Sequence, residues 1–435
     1  MTMKKLATAL LSSTLLIPAL AHAEQTTINY WMWDAPQLPV YQKCAAAFQK
    51  ENPDIKINIT QSAWDQYWTS LQTALISGDA PDVFVNHVTR LPEMSANDII
   101  QDLKPLIEQD EYDTAGYQKG LLESWVKEGA IYGLPKDWAT VAVAYDREQL
   151  EAAGLKPEDM ANLSWNPEDG GSFGKVIERL TVDVKGKRGN EEGFDPNNIK
   201  IFGFVTNNLS AHGETEWSFL AASTGWKFID EPWATEYHYD DPRLVSTLNW
   251  LRDLARVKHH MPTAEQSGQL GAETLMFSGK GAMTVTGSWL IDLYHSSKPS
   301  VVFAPLPAGP EGRKSMFNGL ADSIWTGSDN QEAAWKWVKF LGSDTCQSIV
   351  ADAAIVFPAR SSQLEATMAA YKKKGIDVSA FTEVAKPESS FPFPITDHGN
   401  EISAIAKAAL DRVMRGQSDT AELMKKANTE INDLF

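Results

Sequence analysis

The chain is 435 residues long, 22% charged and 10% aromatic, with a formal net charge of −18. That length exceeds one ordinary hydrophobic core and predicts two domains. The acidity excludes nucleic acid and anionic membrane surfaces as partners.

Residues 1–23 read as a secretory signal peptide. Lys4 and Lys5 form the positive region, Leu6 to Leu20 the apolar region, and Ala21-His22-Ala23 the small-x-small cleavage site. The apolar run is broken by Ser12, Ser13 and Pro18, so it is too short to span a bilayer. Cleavage would leave Glu24 first, not a cysteine, so no lipid anchor is expected there. Losing Lys4 and Lys5 takes the charge from −18 to −20. The expectation is an exported protein of the Gram-negative periplasm. In that oxidising compartment Cys44 and Cys346 form one disulfide or remain two buried thiols; both readings fit.

Ile28 to Met32 reads as a strand that ends at Trp33-Asp34, before Pro36 and Pro39. A helix follows with Val40, Cys44 and Phe48 on one face, ending at Asn52-Pro53. Ile55, Ile57 and Ile59 alternate with polar residues, the pattern of a half-buried strand. Trp64 opens a helix whose stripe is Trp68, Leu71 and Leu75 and whose stop is Gly78. Val83 to Val85 is an unbroken apolar run that suits a parallel strand, with Asn86 and His87 at its carboxyl end. Strand-helix-strand-helix-strand predicts a parallel sheet with helical crossovers.

Ile131 to Pro135 reads as a corner, followed by Lys136-Asp137-Trp138 and then an apolar strand, Thr140 to Tyr145, that crosses between domains. Residues 162–174 read as a loop. So do residues 185–198, where Asp183, Asn190, Glu191 and Asp195 suggest a calcium loop, but Lys185 and Lys187 stand where oxygen ligands belong. No metal or cofactor is expected. Ile201 to Val205 is a strand, Trp217 to Ala222 a helix, and Leu244, Leu248 and Leu251 stripe another that ends in a solvated His259-His260.

Residues 277–289 form the corner on which the chain turns: a helix end, Gly279-Lys280-Gly281, a short strand (Ala282 to Thr286) and Gly287-Ser288-Trp289. Gly287 lets the chain turn off the strand, which places Trp289 at a carboxyl strand end, where open α/β sheets bind ligands. Val301 to Phe303 and Ser323 to Thr326 read as strands. Ala334, Trp337, Val338 and Leu341 mark a helix stopped by Gly342, and Ile402 to Val413 another stopped by Gly416. A last helix starts near Asp419, with Glu422 in capping-box register.

Motifs of catalysis are missing: no His-Glu-x-x-His, no Cys-x-x-Cys and no dinucleotide fingerprint, and the letters Gly-x-Ser-x-Gly occur only at residues 170–174, inside an expected loop and not at a strand-to-helix elbow. Glu214 and Glu216 are the nearest approach to a glycosidase carboxylate pair. What recurs instead is an aromatic, acid, amide or histidine at strand ends: Trp33-Asp34, Asn86-His87, Asp137-Trp138, His212 with Glu214, Trp289, and Asp397-His398. Aromatic rings cover the C–H face of a sugar, and planar amides and carboxylates take its hydroxyls. The 15 tryptophans fit the same reading.

Several stretches carry a resemblance in order. They are Phe48 to Ile55 (Phe-Gln-Lys-Glu-Asn-Pro-Asp-Ile), Gly78 to Phe84 (Gly-Asp-Ala-Pro-Asp-Val-Phe), and Tyr132-Gly133-Leu134-Pro135. Then come Tyr145-Asp146 with Ala153-Gly154-Leu155, and Phe277 to Met283 with Gly287-Ser288-Trp289. In these the chain resembles the family 1 extracellular solute-binding proteins of ABC importers, of the maltose-binding-protein type. The resemblance implies an α/β, two-lobed periplasmic binding protein fold. Each lobe would be a mainly parallel sheet flanked by helices, with the ligand cleft between lobes and hinge-bending closure. The lobes would be residues 24–139 with 320–357, and 140–319 with 358–435.

Carried over position by position, the resemblance implies ligand contacts from Trp33, Asp34, Trp64, Asn86, His87, Arg90, Asp137 and Trp138 in the first lobe. The second would supply His212, Glu214, Gly287, Trp289, Asp397 and His398. It also implies a small carbohydrate ligand, an ABC permease as membrane partner, a monomer and no enzymatic activity. The sugar-binding prototype has a tryptophan where Asn86 stands, which favours a small, polar saccharide over a long maltodextrin. Arg90, His87 and His398 leave an acidic or sulfonated sugar open. A secreted glycosidase and a binder of peptides or glycerol phosphodiesters are the alternative readings.

Overall fold

The computed structural model describes residues 25–267 and 270–435; the expected signal peptide lies outside the described residues. In chain order the first elements are β1 (Thr26–Met32), α1 (Leu38–Glu51), β2 (Ile55–Gln61), α2 (Trp64–Ser77) and β3 (Val83–His87). β1 pairs in parallel with both β2 and β3, as the alternating strand-helix order demands. α1 buries Val40, Tyr41, Cys44, Ala45 and Phe48. Gly78 stops α2 in the left-handed conformation, φ 73°.

The remaining strands of the two larger sheets are β4 (Leu134–Ala139), β5 (Val141–Asp146), β6 (Met283–Gly287), β7 (Val301–Ala304), β8 (Ser315–Ile324), β9 (Phe357–Pro358) and β10 (Ser390–Pro392). The large sheet runs β9-β4-β8-β3-β1-β2, with β10 attached to β8. A second sheet runs β6-β5-β7. The expectation of mainly parallel sheets needs correction. β8 is antiparallel to both β3 and β4, and both neighbours of β5 are antiparallel to it. Strands entering a sheet from the other lobe arrive without a helical crossover, so nothing forces them parallel.

Two large buried clusters underlie the two sheets. One contains Ile28, Tyr30, Cys44, Phe48, Trp337 and Leu341; the other contains Val143, Phe173, Trp217, Trp226 and Leu248. Among the described residues no helix is long and apolar enough to cross a membrane. Cys44 and Cys346 form a disulfide, Cα–Cα 5.1 Å, that joins α1 to the helix Asp344–Ala353.

Other expectations fail for identifiable reasons. Strand β4, which holds Lys136, Asp137 and Trp138, begins at Leu134 inside the expected corner, and β8 begins at Ser315, eight residues before the expected Ser323. The helix Gly171–Leu180 starts inside the expected 162–174 loop. Its opening glycines are required by space: a Cβ on Gly170 would meet the Trp250 ring at 2.7 Å, and one on Gly171 the Ser164 carbonyl at 2.5 Å. His260 is buried, not solvated, with its ring 6.0 Å from Phe194. The Asp183 carboxylate takes backbone N–H groups from Lys185, Lys187 and Asp195 at 2.8–2.9 Å. Three N–H donors already occupy most of this carboxylate's acceptor positions and would compete with calcium, and among the described residues no group of three or more His, Cys, Asp or Glu side chains is placed to hold a metal.

Candidate functional site

A cleft of about 920 Å³ opens where the carboxyl ends of β1, β3 and β6 converge with β4 and β8. Such a volume suits a small organic ligand. It is lined by Trp33, Asp34, Trp64, His87, Arg90, Asp137 and Trp138 from one side and His212, Glu214 and Trp289 from the other. The aromatic side is a cluster built on Trp33. Its ring centroid lies 5.0 Å from Trp64, 5.1 Å from Tyr67 and 5.6 Å from Trp68. β1 ends at Met32, so Trp33 leaves the sheet, and α2 brings the other three rings from successive turns. Trp64 keeps 45% of its surface exposed, a ready platform. Trp138 is different: it is 2% exposed, with Phe357 stacked on it at 4.4 Å and Phe317 at 5.7 Å. It forms the backing of the wall, not an open face.

Gly287 contributes space. A Cβ there would fall 2.1 Å from the Trp289 ring, so only glycine lets that ring fold back over the end of β6. Gly287 itself does not line the cleft. Nor does Asn86. Successive strand residues face opposite sides, and since His87 faces the cleft, Asn86 points into the sheet's far side. Its amide nitrogen donates to Ser323 Oγ at 3.2 Å, and its oxygen accepts from the His87 N–H at 2.9 Å. The identity of residue 86 therefore says nothing about ligand size. Asp397 and His398 also miss the cleft. Asp397 is exposed and paired with Lys127 at 2.9 Å. His398 is exposed, sits at φ 61° before the helix Gly399–Met414, and meets Phe435 at 5.5 Å. Their neighbours Thr396, Gly399 and Asn400 reach the cleft instead.

The polar groups are tightly held. Asp34 Oδ2 accepts from Gln37 Nε2 at 2.6 Å, and Arg90 donates to Asn400 Oδ1 at 3.0 Å while lying 5.1 Å over the Trp68 ring. His87 Nδ1 lies 2.9 Å from Thr89 Oγ1 and 3.3 Å from the Thr89 backbone nitrogen, and its Nε2 lies 3.3 Å from Asn318 Nδ2. Burial pushes His87 down to about 3 and His212 to about 4, so both are uncharged at pH 7. Burial first, then the Glu216 carboxylate, pushes Glu214 up to about 8. Glu216 reaches about 7, also by burial; its carboxylate accepts from Ser210 Oγ at 3.1 Å and does not line the cleft. A glycosidase needs two carboxyls facing one bond; of this pair only Glu214 lines the cleft.

Sequence reasoning missed Gln37, Ser210, Tyr237, Asn318 and Phe393, which all line the cleft. Phe393 stands 5.4 Å from both the His87 and His212 rings and so links the two sides. The aromatic–proline run Phe391-Pro392-Phe393-Pro394 was the available signal for it.

The raised Glu214 predicts a pH effect with a definite sign. A carboxyl near 4.5 unfolded and about 8 folded contributes no penalty below 4.5, and the protein loses stability as pH rises through 8. Melting temperatures measured from acid to alkaline pH should fall less for Glu214→Gln than for the native chain across that window. Parallel curves would contradict the assignment.

The fold and cleft together define a two-lobed α/β receptor, with its binding groups at strand ends. The chain belongs to the bacterial extracellular solute-binding protein family, whose pattern matches residues 35–347. It is 29% identical over 194 residues to the lactose-binding protein of Rhizobium radiobacter, covering 43% of this chain and 42% of that protein. To the arabinooligosaccharide-binding protein of Bacillus subtilis it is 25% identical over 329 residues, 73% of this chain and 69% of the other. Its backbone is similar to the solved ABC substrate-binding protein of Listeria monocytogenes in complex with cycloalternan. The TM-score there is 0.80 and the identity 23%, over 94% of this chain and 99% of that one.

Proposed function

We propose that this chain is the periplasmic receptor of an ABC importer, that it binds a mono- or small oligosaccharide, and that it hands the sugar to a membrane permease without covalent chemistry. The observation that carries this is the Trp33–Trp64–Trp289 surface set against carboxyl, amide and imidazole groups in one cleft. Relatives named for lactose and arabinooligosaccharides support the ligand class. The Cys44–Cys346 disulfide supports an oxidising compartment. Neutral His87 and His212 leave Arg90 as the one cationic side chain among the predicted residues that line the cleft, which favours an uncharged sugar over an anionic one or a phosphodiester.

The lobes are proposed as 24–139 with 320–357, and 140–319 with 358–435. Thr140 alone separates β4 and β5, which join different sheets, and this supports the first crossing. Tyr371, Val378 and Phe381 pack in the cluster of Ile28 and Tyr30, which favours moving the last crossing beyond Ala385. Closure follows if the sugar binds the closed form more tightly than the open one.

The experiment is a melting-temperature screen against lactose, maltose, arabinotriose and glucuronate, followed by calorimetry. Trp289→Ala should weaken binding at least tenfold, ~1.4 kcal/mol. A native chain that none of these sugars stabilises, or that releases reducing sugar, would refute the receptor reading.

A further inference from the structure

The wall behind the cleft holds a lysine that sequence patterning alone would place on the surface. Lys136 is 1% exposed and does not line the cleft. Its burial follows from a register slip. Leu320 pairs with Asp137 and Ala321 with Pro135, so Lys136 is the extra residue of a β-bulge in β4. A bulge re-aims the residues beside it, and here the adjacent Lys136 and Asp137 are brought together.

The ammonium is fully engaged. It donates to Gln37 Oε1 at 2.7 Å, lies 3.5 Å from Asp137 Oδ2, and sits 3.9 Å over the Tyr41 ring. Gln37 in turn donates to Asp34 Oδ2 at 2.6 Å. Asp34 and Asp137 both line the cleft. The charged and titratable groups that face this lysine come from several elements: Asp34 beyond β1, Tyr41 from α1, Asp137 from β4 and Asp322 from β8. Tyr30 closes the set by donating to Asp322 Oδ1 at 2.7 Å. One buried cation thus serves three carboxyl groups. Burial raises Asp34 and Asp137 and takes Asp322 to about 7, and Lys136 opposes that rise at each.

We propose that Lys136 is a positioning residue for ligand recognition: from behind the wall it holds Asp137 directly, and Asp34 through Gln37, as ionised acceptors for the hydroxyl groups of a polyol ring. A carboxylate offers only lone pairs, so this pair selects a ligand edge rich in O–H donors. A protonated pair would offer a donor to each hydroxyl and lose that selectivity. The inference rests on the sugar-receptor reading and assigns the origin of its polar specificity.

The test uses whichever of lactose, maltose, arabinotriose and glucuronate stabilises the native chain most. Lys136→Met keeps the length of the side chain and removes its charge. Its affinity near neutral pH should fall by about 30-fold, the loss typical when one partner of a buried charge pair is removed. Affinity of the variant should then climb as pH rises through the raised range in which the abandoned carboxyls ionise, while the native chain changes far less. Lys136→Arg should restore the flatter profile. Should Lys136→Met fail to fold, Gln37→Met cuts the relay to Asp34 with the ammonium kept, and must show the same acidic loss. A variant that is merely less stable, with a pH profile parallel to the native one, overturns the proposal. Failure of all four sugars to bind the native chain would instead overturn the receptor reading itself.

Discussion

Trp33→Ala is expected to weaken sugar binding by about 100-fold, or ~2.7 kcal/mol, the size of a buried aromatic hot spot. Trp33 both lines the cleft and holds its neighbours. The Trp64 ring meets it edge-on, 5.0 Å and 89°, and Tyr67 meets it at 5.1 Å and 72°. Each such aromatic pair contributes roughly 0.5–1.5 kcal/mol beyond the area it buries. Truncation therefore removes one stacking surface and frees Trp64, the exposed platform, to rotate. Trp33→Phe keeps an aromatic wall and should lose only about tenfold. Calorimetry on the two variants separates the effects. Binding by Trp33→Ala within about twofold of native would show that the cluster is packing and not platform.

What the sequence discloses and what it hides divide along a physical line. β2 is legible because Ile55, Ile57 and Ile59 alternate with polar residues on a sheet with one wet face. The helix Gln331–Leu341 is legible because Ala334, Trp337, Val338 and Leu341 repeat at helical spacing. β4 and β8 are hidden because they carry Lys136, Asp137, Asn318, Asp322 and Ser323 at buried positions. Charged residues in a core are tolerated only where partners satisfy them, and those partners come from β1, α1 and each other. No local pattern encodes a partner 292 residues away, the separation of Tyr30 from Asp322.

The cleft divides the same way. Trp33, Trp64, His87 and Trp289 could be read from their places at strand and helix ends, because the carboxyl ends of strands gather at one crevice. Asn86 falls outside the cleft by one step of strand alternation, and Asp397 and His398 by a few residues at the helix start. Asn318 required knowing that β8 lies between β3 and β4, which is a topological fact. Aromatic platforms are thus local, whereas the polar groups that give specificity are assembled from segments distant in sequence. That division explains why a ligand class can be read from this chain while the identity of the sugar depends on the network behind Asp34 and Asp137.

The second large effect concerns stability. Replacing Cys44 and Cys346 together by alanine should lower stability by about 2–4 kcal/mol, most of it through the unfolded chain. The bond spans 302 residues and ties α1, near the start of the chain, to the helix Asp344–Ala353, which follows β8. Without it, that late helix must find α1 against the loop entropy of everything between. Both sulfurs belong to fully buried residues, so alanine is the right replacement; serine would add an unpaired hydroxyl to an apolar site. Neither cysteine lines the cleft, so sugar affinity below the transition should stay within about twofold. Calorimetric melting of the native chain with and without reductant supplies the check. The reduced native protein should melt with the double variant, well below the oxidised form. Coincident melting of oxidised and reduced native protein would mean that packing of α1 on the late helix, not the covalent link, closes this lobe.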